Sequence, residues 1–307
     1  MKELISLIES KKLGTYRQNV SFSSLTTYKT GGIALLVFFP SSIDSLKEVL
    51  LFIKSNSIPY KIFGNGSNIL ASDSVFNGVV IKLSNLNNIE INDNFVSVEA
   101  GYPFNVLCNK VGKLGLSGLE FGGGIPATVG GAVYMNAGAY LEDVSKTLEK
   151  VDILDENCDF KTISKEDLDF SYRHSLFMEK KWVILQAYFK LMPGNRDEIV
   201  SLMEDRKQRR VDSQPLDYPS AGSVFRNPKD NYAGKLIENS NLKGFVYGGA
   251  KISDKHANFI INYNNAKSSD VLYLMNLVKS EVKKNYDIDL HEEQELFNFG
   301  EENEEKK

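Results

Sequence analysis

Residues 115–140, GLSGLEFGGGIPATVGGAVYMNAGAY, place eight glycines among small and apolar residues, with no charge after Glu120. Glycine reaches positive φ and lets another molecule approach the main chain closely. Such a run serves one of two ends. Either its N–H groups turn toward phosphate or ring oxygens, or the segment packs so tightly that only small residues fit. A second glycine turn, Gly64-Asn65-Gly66-Ser67-Asn68, follows Tyr60-Lys61-Ile62-Phe63. A glycine turn directly after a strand can gather N–H groups into a nest for pyrophosphate; the other reading is an ordinary hairpin or bulge. It is not a Walker loop, because the lysine and Ser/Thr are missing. Nor is it a GxGxxG fingerprint, because Ile69-Leu70-Ala71 continues as strand and opens no glycine-spaced helix.

A third polar cluster lies near the end of the chain: Ser220-Ala221-Gly222-Ser223-Val224-Phe225-Arg226-Asn227-Pro228, then Gly234 to Glu238, then Lys255-His256-Ala257-Asn258-Phe259. Ser223 beside Gly222 invites a hydrolase reading. GxSxG needs a glycine where Phe225 stands, and no acid and histidine are placed for a triad. His256 reads as structural. Cys108 and Cys158 are far apart, without CxxC or histidine-rich neighbours, so neither a disulfide framework nor a metal site is expected. Both read as buried small hydrophobes.

The elements that must position these groups follow from periodicity. Residues 2–12 carry a helix pattern around Leu4, Ile5, Leu7 and Ile8, and Leu46–Ser55 places Leu46, Val49, Leu50 and Ile53 on one helical face. Gly78–Leu83 and Phe95–Ala100 read as strands around a turn-rich Ser84–Asn94, and 148–193 is again strand-dominated. A charged helix from Arg196 to about Val211 reads as a link between domains, its Arg206, Lys207, Arg209 and Arg210 forming a solvated face. A last helix, Ser269–Tyr286, turns Val271, Leu272, Leu274, Met275, Leu277 and Val278 inward. The acidic residues from Glu301 to Lys307 read as a disordered tail.

With 307 residues the chain can bury a large core in two or three domains. Hydrophobic residues make up 42%, charged residues 25%, and the net charge is −4. That balance argues against nucleic acid or an anionic membrane as partner. The longest strongly apolar run, Ile33–Phe39, is far short of the ~20 residues of a membrane span. Nothing at the N-terminus reads as a signal peptide, so a cytoplasmic protein is expected.

Six strings in order, GNGSN at 64–68, GLEFGGGIPATVGGAVYMNAGAY at 118–140, FSYRHSLF at 170–177, SAGSVFRNP at 220–228, GKLIE at 234–238 and KHANFIIN at 255–262, resemble the MurB family. These are the UDP-N-acetylenolpyruvoylglucosamine reductases of bacterial peptidoglycan synthesis. The resemblance covers nearly the whole chain. It implies an α+β architecture: a two-part FAD-binding domain of the PCMH, vanillyl-alcohol-oxidase-like type over 1–83 and 84–205, and a separate α/β substrate-binding domain over 206–298, with 299–307 as tail.

By the same resemblance, Gly64, Asn65, Gly66, Ser67 and Asn68 form the pyrophosphate site. Gly122, Gly123, Gly124, Ile125, Pro126, Thr128, Gly130, Gly131 and Ala132 wall the flavin. The family's catalytic arginine, proton donor and glutamate fall on Arg173, Ser223 and Glu293, with Glu295 the competing choice for the last; Tyr172, Arg226 and Asn227 match positions near the substrate. The implied ligands are noncovalent FAD, NADPH as co-substrate and UDP-N-acetylglucosamine enolpyruvate, in a monomer of the shorter family type that lacks a tyrosine-bearing loop insertion. Ala127 stands where the family commonly has glycine, which a negative φ would tolerate.

Overall fold

A computed structural model describes residues 1–300, and these divide into two compact units. The first comprises 1–18, 36–65 and 78–208; the second comprises 19–35, 66–77 and everything described from 209 onward. The architecture is α+β. No helix among the described residues is long and apolar enough to cross a membrane.

In the first unit, helix α1 (Lys2–Lys11) buries Leu4 and Ile8, and α2 (Ile43–Ser55) buries Leu46, Val49, Leu50 and Ile53. The Oγ of Ser42 caps α2 by accepting from Ser45 N at 3.1 Å, satisfying one of the orphan amides of the first turn. Strands run in the order Gly14–Ser21, Ile33–Pro40, Phe76–Lys82, Tyr60–Phe63, the last two parallel with Tyr60 opposite Val79. A five-stranded antiparallel sheet follows: Phe160–Ser164, Leu148–Leu154, Val183–Lys190, Phe95–Glu99 and Ile89–Asn92. Val96, Val98, Val151, Ile153, Ala187 and Phe189 are buried in one core with Phe104, Leu107, Cys108 and Val111 of α3 (Phe104–Lys113) and with α4 (Val129–Tyr134). Each large aliphatic or aromatic side chain so buried contributes about 1.5–3 kcal/mol.

The strand Ile89–Asn92 lies inside the stretch Ser84–Asn94 that reads as turn in the sequence. Only Ile89 and Ile91 mark it, half-buried between exposed Glu90 and Asn92. A two-residue turn, with Asp93 at φ 52°, closes it onto Phe95. Four alternating residues among asparagines are too short a signal for periodicity to resolve.

The second unit packs α6 (Ala233–Asn239) and α7 (Ser268–Tyr286) with a small sheet of Val246–Tyr247, Ala250–Ile252 and Ile260–Asn262. Its core gathers Val224, Phe225, Ile237, Ile252, Val271, Leu274, Met275, Val278 and Val282. Helix α5 (Arg196–Ser213) passes from one unit to the other.

The segments 19–35 and 66–77 belong to this unit for identifiable reasons. Buried Tyr28 and Leu70 sit in its core, and Ile69–Ala71 pairs in parallel with Glu295–Phe297. The Asp73 carboxylate caps α7, accepting from Ser268 N at 2.9 Å and Ser269 N at 3.0 Å, where an anion meets the positive end of the helix dipole. Each unit is therefore built from several separate stretches of the chain. Phe299 packs against the second core. The tail reading of 301–307 lies outside the described residues.

Candidate active site

In the first unit the structure joins three of the sequence motifs. A Cβ at Gly64 would lie 2.6 Å from Thr128 Oγ1, and Asn65 Nδ2 donates to Pro126 O at 2.8 Å. The start of the GNGSN turn is thereby held against 126–128. Toward the far end of the glycine segment, Asn136 Nδ2 donates to Ser171 O at 3.0 Å, and fully buried Ser175 donates from Oγ to Tyr134 O at 2.6 Å. These bonds fix the hairpin turn in which Ser171 and His174 exchange backbone hydrogen bonds of 3.2 and 3.1 Å.

Arg173 occupies the third position of that turn at φ 55°, a left-handed conformation that favours glycine. Its guanidinium carbon lies 5.6 Å from the centroid of the exposed Tyr172 ring. A large side chain kept in this region marks a constraint imposed by the surroundings.

The glycine segment divides residue by residue between packing and access. A Cβ at Gly122 would stand 2.5 Å from Cys108 Sγ and Phe104 Cε1, one at Gly123 would meet Met203 Cε at 2.9 Å, and one at Gly130 would meet Ala100 Cβ at 2.9 Å. These three are glycine because the core leaves no room. Gly124 and Pro126 are exposed, and a Cβ at Gly131 would make only an ordinary contact with Thr128 Oγ1 at 3.4 Å.

The amides of this segment are largely spent inside the unit. Gly122 N donates to Leu119 O, Ile125 N to Gly122 O, Gly130 N to Ala100 O, Gly131 N to Thr128 Oγ1 and Ala132 N to Thr128 O. Asn65, Gly124 and Pro126 are exposed and Gly64 and Ile125 part-buried, so this stretch of main chain is open to a ligand, whereas the N–H groups at the start of α4 are already occupied. Ala127 does not adopt a positive φ, so its methyl carries no backbone strain.

The second unit assembles the other motifs. Gly222 takes φ 77° with open space where a Cβ would stand, and Ser223 follows it, part-buried. Asn258 brackets the next residues: its carbonyl accepts from Val224 N at 2.9 Å, its Oδ1 from Phe225 N at 3.0 Å, and its Nδ2 donates to Phe225 O at 2.8 Å. Glu293 N donates to Val224 O at 2.8 Å, which places the candidate glutamate beside the serine segment.

Buried Gln294 donates from Nε2 to Ala221 O at 3.2 Å and Gly222 O at 3.1 Å, while its Oε1 accepts from Tyr28 Oη at 3.0 Å. Gly66, Ser67 and Asn68 belong to this unit. Asn68 Nδ2 donates to Glu293 O at 2.9 Å, and Asn68 O accepts from Glu295 N at 2.9 Å, so Asn68 tethers the segment carrying both glutamates.

Arg226 Nε is buried and makes no hydrogen bond, which leaves a cationic donor for an anion. Asn227 is exposed, and its Oδ1 accepts from Ala233 N at 3.1 Å, satisfying the first amide of α6. Burial lowers the pKa of His256, and its Nδ1 accepts from Asn258 N at 3.3 Å, as a neutral imidazole must. Burial likewise raises the Cys108 thiol.

Motif reading missed Gln294 and Tyr28, and gave no role to Asn136 and Ser175 within the strings that contain them. Gln294 sits in a run of glutamates with nothing to mark it as buried, and Tyr28 lies 266 positions away in the chain.

A family model described as the C-terminal domain of UDP-N-acetylenolpyruvoylglucosamine reductase matches residues 214–297, and one described as an FAD binding domain matches residues 34–164. A reductase of that name from Anoxybacillus flavithermus is 44% identical over 96% of this chain and 99% of its own. The Bacillus subtilis reductase is 42% identical over 96% and 98%. The chain belongs to the UDP-N-acetylenolpyruvoylglucosamine reductase, or MurB, family. The crystal structure of the MurB reductase from Thermus caldophilus superposes with a TM-score of 0.80 at 33% identity, covering 92% of this chain and all of that one. The fold is thus an FAD-binding domain of the PCMH type joined to a MurB C-terminal domain.

Proposed function

We infer that this chain reduces UDP-N-acetylglucosamine enolpyruvate to UDP-N-acetylmuramate with NADPH, an FAD-dependent oxidoreduction in peptidoglycan precursor synthesis. Identity over nearly the full length to reductases of that name carries the reading. The protein works as a cytoplasmic monomer.

The chemistry supplied when FAD is bound is transfer of hydride from NADPH to the terminal carbon of the enolpyruvyl ether. That transfer pushes negative charge toward the substrate carboxylate. Arg173 receives it: a guanidinium binds a carboxylate through two parallel N–H donors and stays charged at any working pH. Held in a fixed turn, its fork needs little reorganisation as charge develops.

The adjacent carbon then takes a proton from the Ser223 hydroxyl, a weak acid that serves only because the carbon it protonates is strongly basic. Glu293 is the third catalytic group. Glu295 competes for this role, since both are part-buried on the segment beside Val224. Arg226, with its buried unsatisfied Nε, holds an anionic part of the substrate. Tyr172 and Asn227 line the approach.

An anaerobic two-step titration tests this. NADPH should bleach the yellow protein, and UDP-N-acetylglucosamine enolpyruvate, but not simple alcohols, should restore the colour. In Ser223→Ala, bleaching should proceed at the parent rate while reoxidation slows by roughly 10²–10⁴-fold, the usual contribution of a positioned proton donor. Equal losses in both steps would remove Ser223 from proton transfer.

A further inference from the structure

Two side-chain amides bond the residues on either side of Ser223 in sequence. Asn258 fixes the backbone of Val224 and Phe225 after the serine. Gln294 fixes the carbonyls of Ala221 and Gly222 before it. The first clamp holds two buried residues, neither of them at positive φ. The second holds a glycine at φ 77° with nothing packed where its side chain would be, so packing does not set that residue's torsions. Hydrogen bonds must do so.

Gln294 is itself rigidly supplied. It is 3% exposed, and its oxygen accepts from Tyr28, which is completely buried and whose main-chain carbonyl accepts from Asn262 Nδ2 at 3.0 Å. A tyrosine hydroxyl donating to Oε1 orients the amide so that both hydrogens of Nε2 face the two carbonyls. The arrangement uses both donors of the amide and one acceptor lone pair, which glutamate could not reproduce in its ionised, acceptor-only form. The residues on either side of Gln294 are the two candidate glutamates.

We propose that Gln294 is a positioning residue that sets the Ser223 hydroxyl for proton delivery, through its bonds to the Ala221 and Gly222 carbonyls and its anchor on Tyr28. The proposal rests on Ser223 being the proton donor. Gln294 need not touch the substrate. A misplacement of about 1 Å is enough to cost roughly 10²-fold in a positioned reaction, so the loss of its two bonds is expected to slow the proton-dependent step tenfold to a hundredfold.

The test is a double-mutant cycle on the flavin-loaded protein, read separately in the two half-reactions. Gln294→Met keeps the volume of the side chain and removes both donors. Reduction by NADPH should run at the parent rate, and reoxidation by the enolpyruvyl substrate should fall roughly tenfold to a hundredfold with an enlarged solvent deuterium isotope effect. In a Ser223→Ala background the same substitution should cost nothing further, because a residue acting through Ser223 has nothing left to position.

Tyr28→Phe, which removes only the anchoring hydroxyl, gives the second reading should Gln294→Met fail to fold. Its loss should be smaller, confined to the same half-reaction, and also absent in the Ser223→Ala background. Equal losses in both backgrounds, losses shared by both half-reactions, or a parent-like Gln294→Met each overturn the proposal. If Ser223→Ala alone leaves reoxidation intact, the proton-donor reading has failed instead.

Discussion

At the residue scale, the informative feature of Arg173 is its backbone. The left-handed region costs a side-chain-bearing residue roughly 1–2 kcal/mol, and glycine in its place gives back about 0.5–1 kcal/mol in unfolded-state entropy. Arg173→Gly should therefore change stability by no more than about 1 kcal/mol in either direction. Reoxidation by the enolpyruvyl substrate should collapse by roughly 10²-fold or more, because the carboxylate loses its charge-matched donor. Thermal unfolding beside stopped-flow reoxidation checks both halves, and a large fall in Tm would show that the arginine is there for the fold. Arg173→Lys keeps the charge without the fork and should also be severely slowed. The identity of this residue was legible in FSYRHSLF. Its strain was not, because φ is imposed by Asn136 and Ser175, which hold the turn from outside it.

At the scale of elements, the hairpin joining strands Leu148–Leu154 and Phe160–Ser164 depends on one carboxylate. Asp155 accepts from Lys161 Nζ at 2.6 Å, from Asn157 N at 2.8 Å and from Asp159 N at 2.9 Å, and the turn includes Cys158 at φ 64°. The ammonium of Lys161 foremost, then the backbone donors, hold the Asp155 carboxyl down at about 2. An unfolded aspartate titrates near ~3.9, so the folded protein binds this proton less readily. The associated stability is fully present above about pH 4 and disappears as the pH falls toward about 2. Asp155→Asn should lower Tm at pH 7, and its gap to the parent should close on acidification from about pH 4 to pH 2, with salt narrowing it at neutral pH because Lys161 is half-exposed. A gap independent of pH would assign the effect to the turn's shape alone.

The same scale explains the glycine segment. Composition left packing and ligand access as alternatives, and packing accounts for three of the glycines. Gly122, Gly123 and Gly130 abut Phe104, Met203 and Ala100, whereas Gly124 is exposed and a Cβ at Gly131 would meet only Thr128 Oγ1, at 3.4 Å. No rule of sequence separates neighbours such as Gly123 and Gly124, because the distinction lies in which side chain from α3 or α5 comes to rest against each.

For the whole molecule, FAD binds the folded chain and not the unfolded one, so it stabilises by mass action, about 2.7 kcal/mol at a free concentration a hundred times Kd. Stripping the flavin should lower Tm, and adding it back should raise Tm progressively with concentration. An unchanged Tm across such a titration would count against a flavin site in this fold.

The amino-acid sequence by itself determined the family and the reaction, since both are written in short local strings such as GNGSN, SYRHS and SAGSVFRNP, and it named Arg173, Ser223 and Glu293 as the groups to test. It also determined the long helices, whose burial repeats every three to four residues. The tertiary structure alone decided that Tyr28, Leu70 and Asp73 join the core and helix cap of the second unit, that Asn68 tethers the strand bearing the glutamates, and that Gln294 closes on the serine turn. Each of these is a hydrogen bond or packing contact between residues 70 to 270 positions apart, and periodicity and motif carry information only along the chain. Which distant donor meets which carbonyl is settled only when the core has closed and every buried polar group must find its partner.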